Sequence, residues 1–264
     1  MKIGVIGSKG VVGGACFFGF SKLGHEMVEH DLVLDSKLED VLGTDLCFIC
    51  VPTPSTDEGA CDTSIVEKCI IDLSELGYNG VVAIKSTVTP GTTEKLRSSV
   101  DFDLCFVPEF LRERCAITDF VEMHDLLAIG TESSHSFEII KEAHGNFPQH
   151  TVQLSPTEAE FLKYYSNCFN AMKIIFANEF FEICKNLGAD YKKVKDAYVK
   201  RGMAKDVYLD VNDNWRGYAG MCLPKDVNAM KSLVSELGLD LDLFKFLDNE
   251  NKKFEPTVPK GMRK

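Results

Sequence analysis

The chain has 264 residues, with 40 acidic against 29 basic side chains and a formal charge of -11, which argues against nucleic-acid binding through phosphate attraction. Hydrophobic residues make up 45% and charged residues 26%, the balance of a soluble globular protein with a core for one or two domains. No apolar run is long enough to span a bilayer, and residues 2–6 enter directly as a strand with no signal-peptide pattern.

In chain order, residues 3–6, 27–29, 46–51, 81–85, 104–107 and 126–129 read as short strands. Residues 11–23, 64–76 and 92–99 read as the helices between them. The alternation predicts an α/β fold, a Rossmann-like doubly wound sheet of mostly parallel strands over residues 1–152. The pattern changes at Ser155-Pro156-Thr157-Glu158, a capping box with proline at the first helical position. A long helix is expected from there to about Leu187, stopped by Gly188. Further helices are expected over residues 191–198, 226–237 and 241–251, with an irregular stretch over 201–216, so that residues 153–255 form a helical segment. Residues 256–264 read as a basic tail. The ten cysteines are scattered, mostly in apolar segments, and read as reduced, which suits a cytoplasmic protein. Cys47-Phe48-Ile49-Cys50 has no second pair at metal-site spacing, so it reads as a buried strand and no metal site is expected.

Gly7-Ser8-Lys9-Gly10-Val11-Val12-Gly13 follows the first strand and opens a helix, where glycines allow a pyrophosphate close to the helix N-terminus. Asp31 ends the second strand, where an acid can bind a ribose hydroxyl, and together these features favour NAD over NADP. Val51-Pro52-Thr53-Pro54, Ser86-Thr87 with Pro90-Gly91-Thr92-Thr93, and Pro108-Glu109-Phe110-Leu111-Arg112-Glu113 each follow a strand, where open α/β sheets bind ligands. Thr87 offers a hydroxyl, Glu109 and Glu113 are candidate bases, and Arg112 with Glu113 reads equally as a surface ion pair. Lys163 and Asn167 share a helix face and suit an oxyanion, although on the residues alone a solvated polar face is the preferred reading. In Gly217-Tyr218-Ala219-Gly220-Met221-Cys222-Leu223-Pro224-Lys225-Asp226 a cysteine sits among glycines before a Pro-Lys-Asp turn. Lys225 there favours the thiolate, and Asp226 is within reach for proton handling.

Taken together, these segments and their order resemble the UDP-glucose/GDP-mannose 6-dehydrogenase family, over nearly the whole chain, with Glu158-Ala159-Glu160-Phe161-Leu162-Lys163, Asn167, Asn170 and Asn178-Glu179 as further matches. The resemblance implies a four-electron oxidation of a nucleotide sugar with NAD, foremost UDP-glucose to UDP-glucuronate. It implies Cys222 as nucleophile, Lys163 with Asn167 as oxyanion stabiliser, Asp226 and Thr87 as proton handlers through water, and Glu109 as base for thioester hydrolysis. It places the cofactor on Gly7, Gly10, Val11, Val12, Asp31, Val51, Pro52, Thr53, Ser86, Thr87 and Glu113. The sugar nucleotide falls to Glu109, Phe110, Leu111, Arg112, Lys163, Asn167, Tyr218, Gly220 and Cys222, with Arg201 reaching across a dimer made by the long helix. The glycine loop carries an extra residue, only residues 32–45 separate Asp31 from the third strand, and Arg114 and Ala219 replace family glycines. The family continues into a second Rossmann-like domain that covers the nucleotide, and this sequence stops before it. GDP-mannose or another nucleotide sugar as substrate, and a non-catalytic NAD-binding partner of a longer homologue, therefore stay open.

Overall fold

The computed structural model describes residues 1–255, so the basic tail lies outside the described residues. Seven strands form one sheet: β1 (Lys2–Ile6), β2 (Glu26–His30), β3 (Leu46–Ile49), β4 (Val81–Ile84), β5 (Leu104–Phe106), β6 (Leu126–Gly130) and β7 (His150–Leu154). Their order is β2-β1-β3-β4-β5-β6-β7. The first five run parallel, β6 is antiparallel to β5 where Phe106 faces Gly130, and β7 is parallel to β6.

The central strands are short apolar runs because both of their faces are covered. Leu46 and Phe48 of β3 enter one core, while Cys47 and Ile49 enter the other. Helices α1 (Val11–Lys22), α4 (Ala116–Val121) and α5 (Ser134–His144) supply the first core, and α2 (Ser64–Glu75) and α3 (Thr92–Arg97) the second. The strand period of two sends Cys47 and Cys50 to opposite faces, so this C-x-x-C is two core thiols. Among the described residues no group of three or more His, Cys, Asp and Glu is placed to hold a metal ion, and no helix is long and apolar enough to cross a membrane. This is the doubly wound α/β architecture expected from the sequence. Strand β7 and helices α4 and α5 were not expected, and each has a local cause. Strand β7 lies at the sheet edge with a largely exposed, mixed polar sequence. Helix α4 has six residues and no side-chain cap. Helix α5 is capped by Ser133, which accepts from the Ser136 N–H, but buries little more than Ile140, Ala143 and His144.

The helical part contains α6 (Pro156–Asn186), α7 (Tyr191–Lys200), α8 (Leu223–Glu236) and α9 (Leu243–Asn251). The capping box that opens α6 is formed: Ser155 N–H donates to the Glu158 carboxylate at 2.8 Å, and Glu158 N–H to Ser155 Oγ at 3.3 Å. Met1–Pro54 with Cys61–Lys163 make one compact unit, and Ser55–Ala60 with the chain from Tyr164 make a second. Helix α6 thus gives its first two turns to one unit and the rest to the other. The second unit has its own cores, around Cys168, Ala171, Ile175, Tyr218, Val227 and Leu247, and around Ala177, Cys184, Tyr191 and Leu209.

The first core holds an aromatic nest. Phe20 stacks on Phe48 at 4.9 Å between centroids and meets Phe120 and His144 edge-on at 5.3 and 5.0 Å. Burial, and after it the charge of Lys85, pushes the pKa of His124 down to about 4 and that of His144 well below the usual histidine range. Their folded pKa values lie below the unfolded value of 6.5, so below pH 6.5 the unfolded chain binds more protons and stability falls with pH. His124 alone is expected to remove about 3 kcal/mol between pH 6.5 and pH 4. Urea titrations across that range should show the loss, and His124→Gln should make it shallower.

Candidate active site

Strand β1 runs into Gly7, whose φ is +82°. A Cβ on Gly7 would stand 2.6 Å from the Cys50 carbonyl oxygen, and one on Gly13 would strike the Gly7 carbonyl, so both positions demand glycine. Gly10 is the N-cap of α1 and offers no side-chain cap to the first turn. The N–H groups of that turn therefore fit a pyrophosphate, the group expected there from NAD. Val11 and Val12 pack partly against the core and fix the turn.

Residues of β2 and just beyond it brace this loop. Ser8 Oγ and Lys9 Nζ donate to the Glu29 carboxylate at 3.0 and 2.7 Å. The Lys9 hydrogen bond holds the Glu29 carboxyl below the usual range. Asp31 accepts from Lys9 N–H at 2.9 Å and from Val33 N–H at 3.2 Å. The acid expected at the ribose thus also clamps the loop, with lone pairs left for further donors. Glu29 was missed from sequence because an acid in an edge strand carries no signal of its partner.

At the carboxyl ends of β3 and β4, buried Ser86 donates through Oγ to the Val51 carbonyl at 2.7 Å. That bond joins the loop of Val51, Pro52 and Thr53 to the loop carrying Thr87, whose carbonyl accepts from Cys61 Sγ at 3.3 Å. Beyond β5, Lys163 Nζ donates to Glu109 Oε1 and to the Glu109 carbonyl, each at 2.7 Å, and Leu111 N–H donates to Glu109 Oε2 at 2.7 Å. The Lys163 and Glu109 side chains are 5% and 10% exposed, so this is a buried ion pair, with Phe110 5.8 Å from the ammonium. The solvated-face reading of Lys163 therefore fails. Arg112 pairs with Asp119 as well: its Nε and Nη2 donate to Asp119 at 3.0 and 2.6 Å, and its N–H at 2.8 Å. Burial works to raise the Asp119 pKa, and the Arg112 hydrogen bonds outweigh it. Glu113 opens a 3-10 turn over Glu113–Cys115.

The second unit holds the thiol. None of the ten cysteines, all of them among the described residues, forms a disulfide, and Cys222 alone is exposed. Burial pushes the Cys105 thiol up to about 11 and the Cys168 thiol to about 12, so those stay protonated. Cys222 is the N-cap of α8, where the helix end favours an anion. The expected Pro-Lys-Asp turn is instead the first turn of this helix, because Pro224 is tolerated there. Asp226 N–H donates to the Cys222 carbonyl at 2.9 Å. The fully buried Asp226 carboxylate accepts from Asn167 Nδ2 at 2.5 Å and from Lys225 Nζ at 2.8 Å. Asn167 is thus also buried rather than solvated. Gly220, at φ +82°, makes the bend before the thiol. The Tyr218 side chain, 3% exposed, lies in the core, and its backbone pairs with the Asn251 side chain at 2.7 and 2.9 Å. The ring of Tyr218, a residue expected at the sugar nucleotide, thus packs in the core of the second unit. Arg216 ties the same loop to α6 through Asn178 at 2.8 Å and Glu182 at 2.5 Å. Arg201 is exposed at the C-cap of α7.

The sheet order, the glycine cradle and the open first turn of α1 define a dinucleotide-binding α/β protein. Residues 30–148 match the NAD-binding domain of the UDP-glucose/GDP-mannose dehydrogenase family, and residues 157–253 match its central domain. The chain belongs to this family and carries its NAD-binding domain. It is 30% identical to the UDP-glucose 6-dehydrogenase TuaD of Bacillus subtilis (strain 168), over 96% of this chain and 63% of that protein. It is 27% identical to the GDP-mannose 6-dehydrogenase of Pseudomonas savastanoi pv. phaseolicola, over 95% of this chain and 68% of that protein. A solved UDP-glucose dehydrogenase from the hyperthermophilic archaeon Pyrobaculum islandicum superposes with a TM-score of 0.84 at 29% identity, over 96% of this chain and 68% of that one. The chain spans about half to two thirds of the length of the first curated relatives it matches.

Removing one partner of a buried ion pair strands the other's charge. Lys163→Met should cost about 3–5 kcal/mol in urea unfolding. The double variant Lys163→Met with Glu109→Gln should recover more than half of that loss.

Proposed function

We propose that the chain oxidises the C6 alcohol of a nucleotide sugar to the acid, with UDP-glucose as the first substrate and GDP-mannose as the second. The observation that carries this reading is the exposed Cys222 thiol at the start of α8, with the buried, doubly hydrogen-bonded Asp226 one turn on. A thiol of that kind serves covalent capture of an aldehyde, which a simple alcohol dehydrogenase does not need. NAD+ supplies the chemistry of hydride acceptance, twice per product. In this reading the Cys222 sulfur adds to the aldehyde carbon, and the thiohemiacetal so formed is oxidised to a thioester that water cleaves. Lys163 and Asn167 stabilise the oxyanion, Asp226 and Thr87 move protons through water, and Glu109 serves as base in the hydrolysis. Val51, Pro52, Thr53, Ser86 and Glu113 flank the nicotinamide half of the cofactor, while Phe110, Leu111, Arg112 and Gly220 line the sugar nucleotide. The similarity to the Pseudomonas GDP-mannose enzyme, at nearly the same identity, keeps the second substrate in the reading. The absence of disulfides suits a reduced cytoplasmic setting, and the uronate product would feed polysaccharide assembly.

A homodimer through α6 completes the proposal. Tyr165, Phe169, Phe176, Phe180, Ile183 and Leu187 are 43% to 80% exposed and recur at three-, four- and seven-residue spacing along the helix. Such a stripe matches a second copy of itself, and it would let Arg201 reach the partner's substrate.

The purified chain with NAD+ and UDP-glucose is expected to form two NADH per uronate. Cys222→Ala should lower the rate by about 10³-fold or more, and full activity in that variant would sink the covalent mechanism. Turnover with GDP-mannose alone would reassign the substrate. Light scattering should give a dimer mass, and Phe176→Asp with Phe180→Asp should give a monomer.

A further inference from the structure

Glu160 lies early in α6 and is 0% exposed, and no ion pair serves it among the described residues. Its carboxylate is met by three donors from one loop. Gly91 N–H reaches Oε2 at 2.5 Å, and Thr93 N–H and Thr93 Oγ1 reach Oε1 at 2.8 and 2.6 Å. The loop is a type II turn with Pro90 at its second position. Gly91, at φ +95° and ψ -7°, is the third, and Thr92 N–H donates to the Thr89 carbonyl at 3.0 Å. Only glycine takes that φ without strain. The turn follows Thr87 and starts α3.

Three residues further along α6, Lys163 holds the neighbouring strand end through Glu109. Residues three apart stand on one side of a helix. One turn of α6 therefore grips the loop after β4 with an acid and the loop after β5 with a base. Glutamate suits the first grip because a carboxylate only accepts. A glutamine amide would turn its NH2 group toward either the Gly91 N–H or the Thr93 donors, leaving buried donors facing each other.

We propose that Glu160 is a positioning residue, which sets Thr87 against Glu109 and Lys163 by tying the Gly91–Thr93 turn to the first turns of α6. Its effect on catalysis rests on the roles given above to Thr87, Glu109 and Lys163. The tie itself does not.

The test uses the full chain with Glu160→Gln and with Thr93→Val, which removes one hydroxyl bond and keeps the carboxylate. Amide hydrogen exchange over residues 86–97 should accelerate at Gly91 and Thr93 in Glu160→Gln, with β1 to β3 unchanged. At a temperature where the variant is fully folded, kcat should fall about 10- to 100-fold while the KM for NAD+ stays within about twofold. Thr93→Val should show the same split with a smaller loss, and it keeps the test open if Glu160→Gln fails to fold. Unchanged exchange at Gly91 and Thr93, or an activity loss that only follows the folded fraction, would overturn the proposal. If the unaltered chain makes no NADH with either nucleotide sugar, the proposed function falls. Amide exchange then decides the tie alone: acceleration upholds it and no change rejects it.

Discussion

Two buried charges on the first turns of α6, Glu160 and Lys163, hold the strand-end loops of the first unit in place. A charge taken out of water is tolerated only where hydrogen bonds or an opposite charge replace the lost solvation. Gly91 and Thr93 satisfy Glu160 by hydrogen bonds, and Glu109 pairs with Lys163. The loops after β4 and β5 are therefore fixed to the helix by these bonds, in addition to the burial of Val88 and Val107 in the cores. Ser86 extends the tie to the loop after β3 through the Val51 carbonyl.

The parallel sheet explains why those loops stand at one edge. Strand β1 lies between β2 and β3, so the chain leaves β1 in one direction and returns on its other side. The crevice at that reversal is where open α/β sheets admit ligands. Gly7 and the Cys50 carbonyl meet there, closer than any side chain would allow. Asp31 and Glu29 secure the loop from β2, so the cradle is braced on that side by two carboxylates. The second unit solves a parallel problem by other means: the segment before Cys222 has little regular structure, and Arg216, Tyr218 and Asn251 stitch it to the flanking helices.

The strands of the first unit were legible because both of their faces are buried, which leaves uninterrupted apolar runs such as residues 46–49. The start of α6 was legible because a capping box is a local device, with both partners inside four residues. Strand β7 was not legible, because an edge strand with one face in solvent keeps few apolar residues. The packing of Tyr218 was not legible for a related reason: its ring is taken up by a core assembled from α6, α8 and α9.

The amino-acid sequence by itself determined the order of the elements other than β7, α4 and α5, the glycine loop, the start of α6 and the family, because each rests on residues close together in the chain. Only the tertiary structure decided how the buried charges are matched. Lys163 and Glu109 are 54 residues apart, Asn167 and Asp226 are 59 apart, and Thr93 and Glu160 are 67 apart. Periodicity and capping rules read a few turns of chain, whereas a buried charge is satisfied by whatever group the fold brings within hydrogen-bond distance.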